Sequence, residues 1–321
     1  LPEGSIVEVH GGPYASGQIV PTFNCSRDKP CFLRGLNSET QPLVGYETII
    51  KGSYVIIENF KITKDLSFRN HNTSTLHHVV VRNSDLFKVA IYGRSGYAFN
   101  HILVYNNNIH MDNFDNQGPD SPFFPERDTI GIATNEHSEN VWILDNNIHD
   151  VAGDAIGTAH GAKYTARNYY IGRNLLHDTG ENAVDLKEIQ NVVISQNKMY
   201  NLYGPSWGNG VAGKGAAAVF HYGPSFSPRN LWLIYNEIHD ASGAGIQVGG
   251  DQLHEIFVIG NIVHDIFHDD GDANGFSSWN SCKINFVGNV LYNNDNGIDV
   301  DSQTLCGQLI LKKDRKSTRL N

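Results

Sequence analysis

Short apolar runs alternate with polar positions at a period of two along most of the chain, as in Val192-Val-Ile-Ser195 and Leu231-Trp-Leu-Ile234. That period predicts strands with one face turned inward. Each run leads into a recurring phrase: Asn, any residue, an apolar residue, His or Tyr, then Asp or Asn. Copies begin at Asn146, Asn174, Asn197, Asn236, Asn261 and Asn289, with weaker ones at Asn59, Asn83 and Asn107. The steps between successive Asn residues are 24, 24, 39, 28, 23, 39, 25 and 28. Most copies are followed by a second short apolar strand, such as Ala183-Val-Asp-Leu186 or Ala244-Gly-Ile-Gln-Val248. Two or three short strands in roughly 25 residues describe one coil of a solenoid.

The expected architecture is therefore all-β, a parallel β-helix. An Asn that recurs once per coil at a bend can stack its amide on the one above, satisfying groups that a buried corner would orphan. A leucine-rich-repeat horseshoe would show a dense Leu consensus, and a propeller a period of about 40 or more. The repeats resemble the right-handed parallel β-helix of pectate-lyase-like proteins, from about Ser5 to Leu311. Residues 1–313 are read as one such domain. The last eight residues, Asp314 to Asn321, resemble a translated sequencing adapter and are expected to be a scar, with the natural ends lying beyond this fragment.

Composition narrows the partners. The chain has 321 residues, with 34 Asp+Glu against 24 Lys+Arg, a formal charge of −10 that argues against nucleic acid. No apolar run approaches the roughly 18 residues of a membrane span. The opening Val7-Glu-Val-His-Gly-Gly-Pro-Tyr14 and Pro30-Cys-Phe-Leu-Arg-Gly35 also look like the first coils of secreted carbohydrate-active β-helices. In that setting Cys25 and Cys31 can bridge a loop, and Cys282 with Cys306 can form a second disulfide; a ladder of free thiols is the alternative. The implied location is secreted or periplasmic, and the implied state a monomer.

Two of the Asn steps are 39 residues, and both excesses follow the same phrase, at about 111–127 and 202–215. Insertions at equivalent corners project from one face and would wall a groove. They supply Asp112, Asp115, Asp120, Glu126, Arg127, Trp207 and Lys214, of which Arg127, Trp207 and Lys214, with Tyr222, are candidate substrate contacts. The two coils between them carry Asp150, Asp154, Glu181, Asp185 and Lys187. The stretch Gly180-Glu-Asn-Ala-Val-Asp-Leu-Lys187 resembles the strand of family 9 polysaccharide lyases whose terminal Lys is the catalytic base, and His149-Asp150-Val-Ala-Gly-Asp154 lies where that family holds Ca²⁺. The match departs at His149 and Asn182, which leaves open a lyase of another uronic-acid polymer or a related hydrolase.

The chemistry is coherent in its own terms. β-Elimination takes the proton α to a uronate carboxylate, so it needs a base and a positive charge as the enolate forms. Lys187 is the expected base, with Asp185, His160 and His221 as further catalytic candidates. A Ca²⁺ cage is expected from Asp128, Asp150, Asp154, Glu181 and Asp185, and it would bridge an acidic protein to an acidic polymer. The corner residues His110, His149, His177, His239 and His264 recur with the repeat and are read as structural. The group around His268 and Asp272, with Asp295, Asp299 and Asp301, is read as turn chemistry or a second Ca²⁺ site. The leading function is a Ca²⁺-dependent polysaccharide lyase; the alternatives are a glycoside hydrolase pairing Asp154 with Asp185, and a glycan-binding solenoid without activity.

Overall fold

The computed structural model describes residues 1–14, 22–36, 41–68, 75–93, 97–111, 129–135, 137–158, 166–202, 217–222, 229–268, 271–300, 309–312 and 315–317, with backbone alone at 220–222, 250–254, 279–282, 309–312 and 315–317. Each central coil contributes a strand to each of three sheets, and the pairings from coil to coil are parallel. In the central coils the first sheet contains Ser138–Leu144, Ala166–Gly172 and Ile189–Ser195. The second contains Asn147–Val151, Leu175–Thr179 and Lys198–Leu202, and the third Ile156–Thr158, Val184–Lys187 and Ala217–Tyr222. The structure is thus a parallel β-helix, as the repeat implies.

Its interior follows from alternation in register. Val141, Tyr169, Val192 and Leu231 stack in one buried row of the first sheet, and Ile148, Leu176, Met199 and Ile238 in one of the second. Between these sheets runs the asparagine ladder Asn107, Asn146, Asn174, Asn197, Asn236, Asn261 and Asn289, all buried. The backbone N and Nδ2 of Asn146 both donate to Asn174 Oδ1 at 3.0 Å, and Nδ2 also donates to the Val104 carbonyl. Asn197 repeats this with Asn236 and Ile171. The ladder satisfies the corner's backbone inside the protein, where water cannot.

The weaker copies need a correction. Asn59 and Asn83 do not join this ladder; they stand one residue earlier, at a left-handed position (φ 63° and 54°) that Asn tolerates. The rung itself is taken by Ser84, whose hydroxyl accepts from the Phe60 N–H while its own N–H donates to Asn107 Oδ1.

The histidines of the phrase form a stack on the second sheet. His110, His149, His177, Tyr200, His239, His264 and Tyr292 follow one another with centroids 4.6–5.1 Å apart and planes within 12°. The next residue is left-handed at Asp150, Asp178, Asn201, Asp240, Asp265 and Asn293. Both 39-residue steps fall between the second and third sheets, between His110 and Ile132 and between Leu202 and Ala217, so the two long connections share one corner. Near the start, Cys25 and Cys31 are disulfide-bonded with Cα atoms 5.8 Å apart. Cys306 and the side chain of Cys282 lie outside the described residues. The strand Arg315–Ser317 continues the second sheet by pairing with Val290–Tyr292.

Candidate functional site

The site grows from the third sheet. Ile156–Thr158 and Val184–Lys187 lie side by side with Gly157 opposite Asp185. Buried Val184 and Leu186 alternate with Asp185 and Lys187, so the strand's period of two brings the latter pair to one face. There Lys187 Nζ lies 2.6 Å from Asp185 Oδ2, with the Asp185 side chain 5% exposed and that of Lys187 24%. Thr158 fixes the lysine's backbone: its hydroxyl accepts from the Lys187 N–H at 2.5 Å and donates to the Lys187 carbonyl at 3.0 Å.

Asp154 is a second buried carboxyl at the head of the neighbouring strand. Its Oδ1 accepts from the backbone N and from Nδ2 of Asn182, at 3.1 and 2.9 Å, and Asn182 Oδ1 accepts from the Ala217 N–H. Its other oxygen lies over Gly157, where an added Cβ would sit 3.3 Å away. The glycine therefore leaves Asp154 room beside the position opposite Asp185. Gly180 is needed for a different reason: a Cβ there would fall 2.1 Å from the Ala152 carbonyl oxygen of the preceding coil.

Burial divides the protonation states of this cluster. It pushes the Asp154 carboxyl well above the ordinary range, and the nearby Asp185 and Glu181 carboxylates push it further. Burial pulls Lys187 down, but the charge and hydrogen bond of Asp185, with Asp154 and Glu181 behind it, outweigh burial and hold the ammonium above the ordinary lysine value. Burial thus favours the neutral form of Asp154, while the carboxylates around Lys187 favour its charged form.

Of the residues expected from sequence, Lys187, Asp185, Asp154 and Glu181 are brought together. Asp150 takes the corner position of the repeat, and its Oδ2 lies 2.6 Å from His149 Nδ1, just as Asp178 pairs with His177. Among the described residues, no three His, Cys, Asp or Glu side chains are arranged to hold a metal. In the described part of the expected calcium set, Asp150 Oδ2 pairs with His149 Nδ1 and Asp185 Oδ2 with the Lys187 ammonium. Asp128, His160, Arg127, Trp207 and Lys214 lie outside the described residues, as do Asp112, Asp115, Asp120 and Glu126. The backbone of His221 pairs with Leu186 and that of Tyr222 with Lys187; their side chains are not described. In the other acidic group, Asp295 Oδ2 accepts from the His268 N–H, closing a turn.

Two contributors were not anticipated from sequence. Asn182, noted only as a departure, holds Asp154; its 28-residue offset from Asp154 equals the Asn146 to Asn174 step, which is the available signal. Thr158 carries no such signal, because a short polar residue at that position looks like any other strand residue.

No protein-family model matches the sequence, and no curated protein matches it. Among solved structures, the fold is shared with the A-module of a mannuronan C-5 epimerase from Azotobacter vinelandii, at TM-score 0.52 and 11% identity over 92% of this chain and 67% of that one. A periplasmic alginate epimerase matches at TM-score 0.54 and 11% identity, over 95% of this chain and 84% of that one. The Streptococcus pneumoniae surface adhesin PfbA matches at 0.55 and 14%, over 98% and 90%. At these identities the likeness is one of fold.

Proposed function

We propose that the chain cleaves an acidic, uronate-containing polysaccharide by β-elimination at the Lys187–Asp185 pair. The observation that carries this reading is the ammonium–carboxylate contact at 2.6 Å, its carboxylate buried and its ammonium half-buried, set on the third sheet in the coils between the two long connections. A partly desolvated ion pair is costly to the fold, and such pairs concentrate where chemistry needs them. Proteins of this fold include two named for acting on mannuronan or alginate and one named as an adhesin, so the choice rests on the site.

The roles follow from the protonation states. Lys187, expected from sequence as the base, is in the resting site a cation; it faces the substrate carboxylate and takes up the charge that develops as the enolate forms. Asp185, ionised beside it, accepts the proton from the carbon α to that carboxylate. The electron pair forms the carbon–carbon double bond as the glycosidic oxygen departs, and protonated Asp154 belongs to the same cluster as a proton source for that oxygen. No step is routed through calcium. The Cys25–Cys31 disulfide supports a secreted or periplasmic location.

A second reading draws on one specific observation: Asp154 protonated close to an ionised Asp185 is the division of labour that glycosidases use. Product analysis separates the two. Incubated with polymannuronate, polyguluronate, pectate and glycosaminoglycans, the protein is expected to generate the ultraviolet absorbance of an unsaturated uronate together with new reducing ends. Reducing ends without that absorbance would replace elimination by hydrolysis, and retention of a polymer without either would leave a binding solenoid.

A further inference from the structure

The first sheet carries a nitrogen cluster on a different face of the coil from the Lys187 site. The strand His77–Arg82 opens with two histidines. His77 pairs with Asn100 of the next coil and donates its N–H to Ser53 Oγ at 3.0 Å. His78 is left-handed, with φ 53°, a conformation that breaks the strand's alternation and puts its ring beside that of His77 rather than on the opposite face. The two Nδ1 atoms lie 2.9 Å apart and share a hydrogen bond, one ring donating to the other, with the ring planes at 88°. His78 is held between Tyr54 and His101, at centroid distances of 4.8 and 4.5 Å and interplanar angles of 21° and 5°. His101 is itself oriented by Asn100, whose Oδ1 lies 2.6 Å from its Nδ1. The pair therefore has a fixed orientation and reaches solvent, since His78 is exposed.

We propose that His77 and His78 chelate a late first-row divalent metal ion through their Nδ1 atoms, with Cu²⁺ or Ni²⁺ as the class of ion that fits. With metal–nitrogen bonds of about 2.0–2.1 Å, two nitrogens 2.9 Å apart subtend about 90° at the metal. That is the angle between neighbouring ligands of a square-planar or tetragonal ion, narrower than the tetrahedral angle zinc adopts. The metal takes the place of the hydrogen shared by the two Nδ1 atoms, and the donor ring becomes the Nε2–H tautomer, so both rings ligate as neutral imidazoles. Solvent supplies the remaining ligands at this exposed site.

The test is titration of the purified full chain with Cu²⁺ at neutral pH, read by calorimetry and by electron paramagnetic resonance. The expected result is one tight equivalent whose spectrum carries coupling to two equatorial nitrogens. His77→Ala and His78→Asn should each weaken it at least about tenfold, the low end of what even an outer-shell partner is worth, and remove one nitrogen coupling. Asn is chosen at 78 because it tolerates the left-handed backbone, and circular dichroism confirms that each variant keeps the fold. Uptake and spectrum unchanged in the double variant, or no tight equivalent in the parent chain, would overturn the assignment.

Discussion

Asp154 makes the most direct residue-scale claim. A carboxyl raised in the folded state binds more protons than its unfolded counterpart, so stability falls as pH rises above the unfolded value near 4 and keeps falling until the folded group ionises. Asp154→Asn removes that dependence and keeps an oxygen for the Asn182 donors. The variant is expected to melt higher than the parent at pH 7, with the gap closing as pH approaches about 4. Thermal unfolding across that range checks it; a variant less stable at pH 7 than at pH 4, relative to parent, would mean that the ionised form is the one the fold favours. Legibility at this scale was uneven. Asp185 and Lys187 stood out because they break the repeat, whereas an Asp at a repeat position, as at Asp150, looks the same whether it binds an ion or a neighbouring histidine.

At the scale of elements, two asparagine ladders allow an internal comparison. Asn197 is buried, and its side chain makes four hydrogen bonds: its oxygen accepts from the N and Nδ2 of Asn174, and Nδ2 donates to Ile171 O and Asn236 Oδ1. Asn191 belongs to an exposed ladder, donating to Asn168 Oδ1 and accepting from Asn230 Nδ2, at a left-handed position. Asn197→Ala leaves buried groups without partners at about 1–3 kcal/mol each, so a loss of about 3–5 kcal/mol is expected by chemical denaturation. Asn191→Ala should cost about 1 kcal/mol, mostly from the left-handed backbone. Equal losses would mean that the buried amides are no more important than the exposed ones. The buried ladder was legible because one residue type recurs at one corner. Its first rungs were misplaced by one residue because Asn also suits the left-handed position just before, and at Asn83 that choice hid the rung of Ser84.

For the whole molecule, the governing quantities are the solenoid's regularity and its charge. The fold could be read from the repeat because each coil solves the same burial problem with the same residues. The candidate site was legible only in part, since its contents depend on which coils happen to be neighbours and on the long connections, for which a repeat gives no rule. A formal charge of −10 should repel a polyuronate. Added monovalent salt is therefore expected to lower the KM for such a polymer until screening is complete, at roughly 0.1–0.2 M where the Debye length is about 8–10 Å. A KM that instead climbs with salt would point to a cationic surface governing capture.

The central claim is that Lys187 acts as the positive charge at the reacting uronate, and the measurement that tests it most directly compares the parent chain with Lys187→Ala and Lys187→Arg in the same absorbance assay. Loss of the signal in Lys187→Ala with measurable turnover kept in Lys187→Arg is the predicted result, because arginine keeps the charge and cannot serve as a base near neutral pH. Turnover unchanged by Lys187→Ala would contradict the account and move the chemistry away from the Lys187–Asp185 pair.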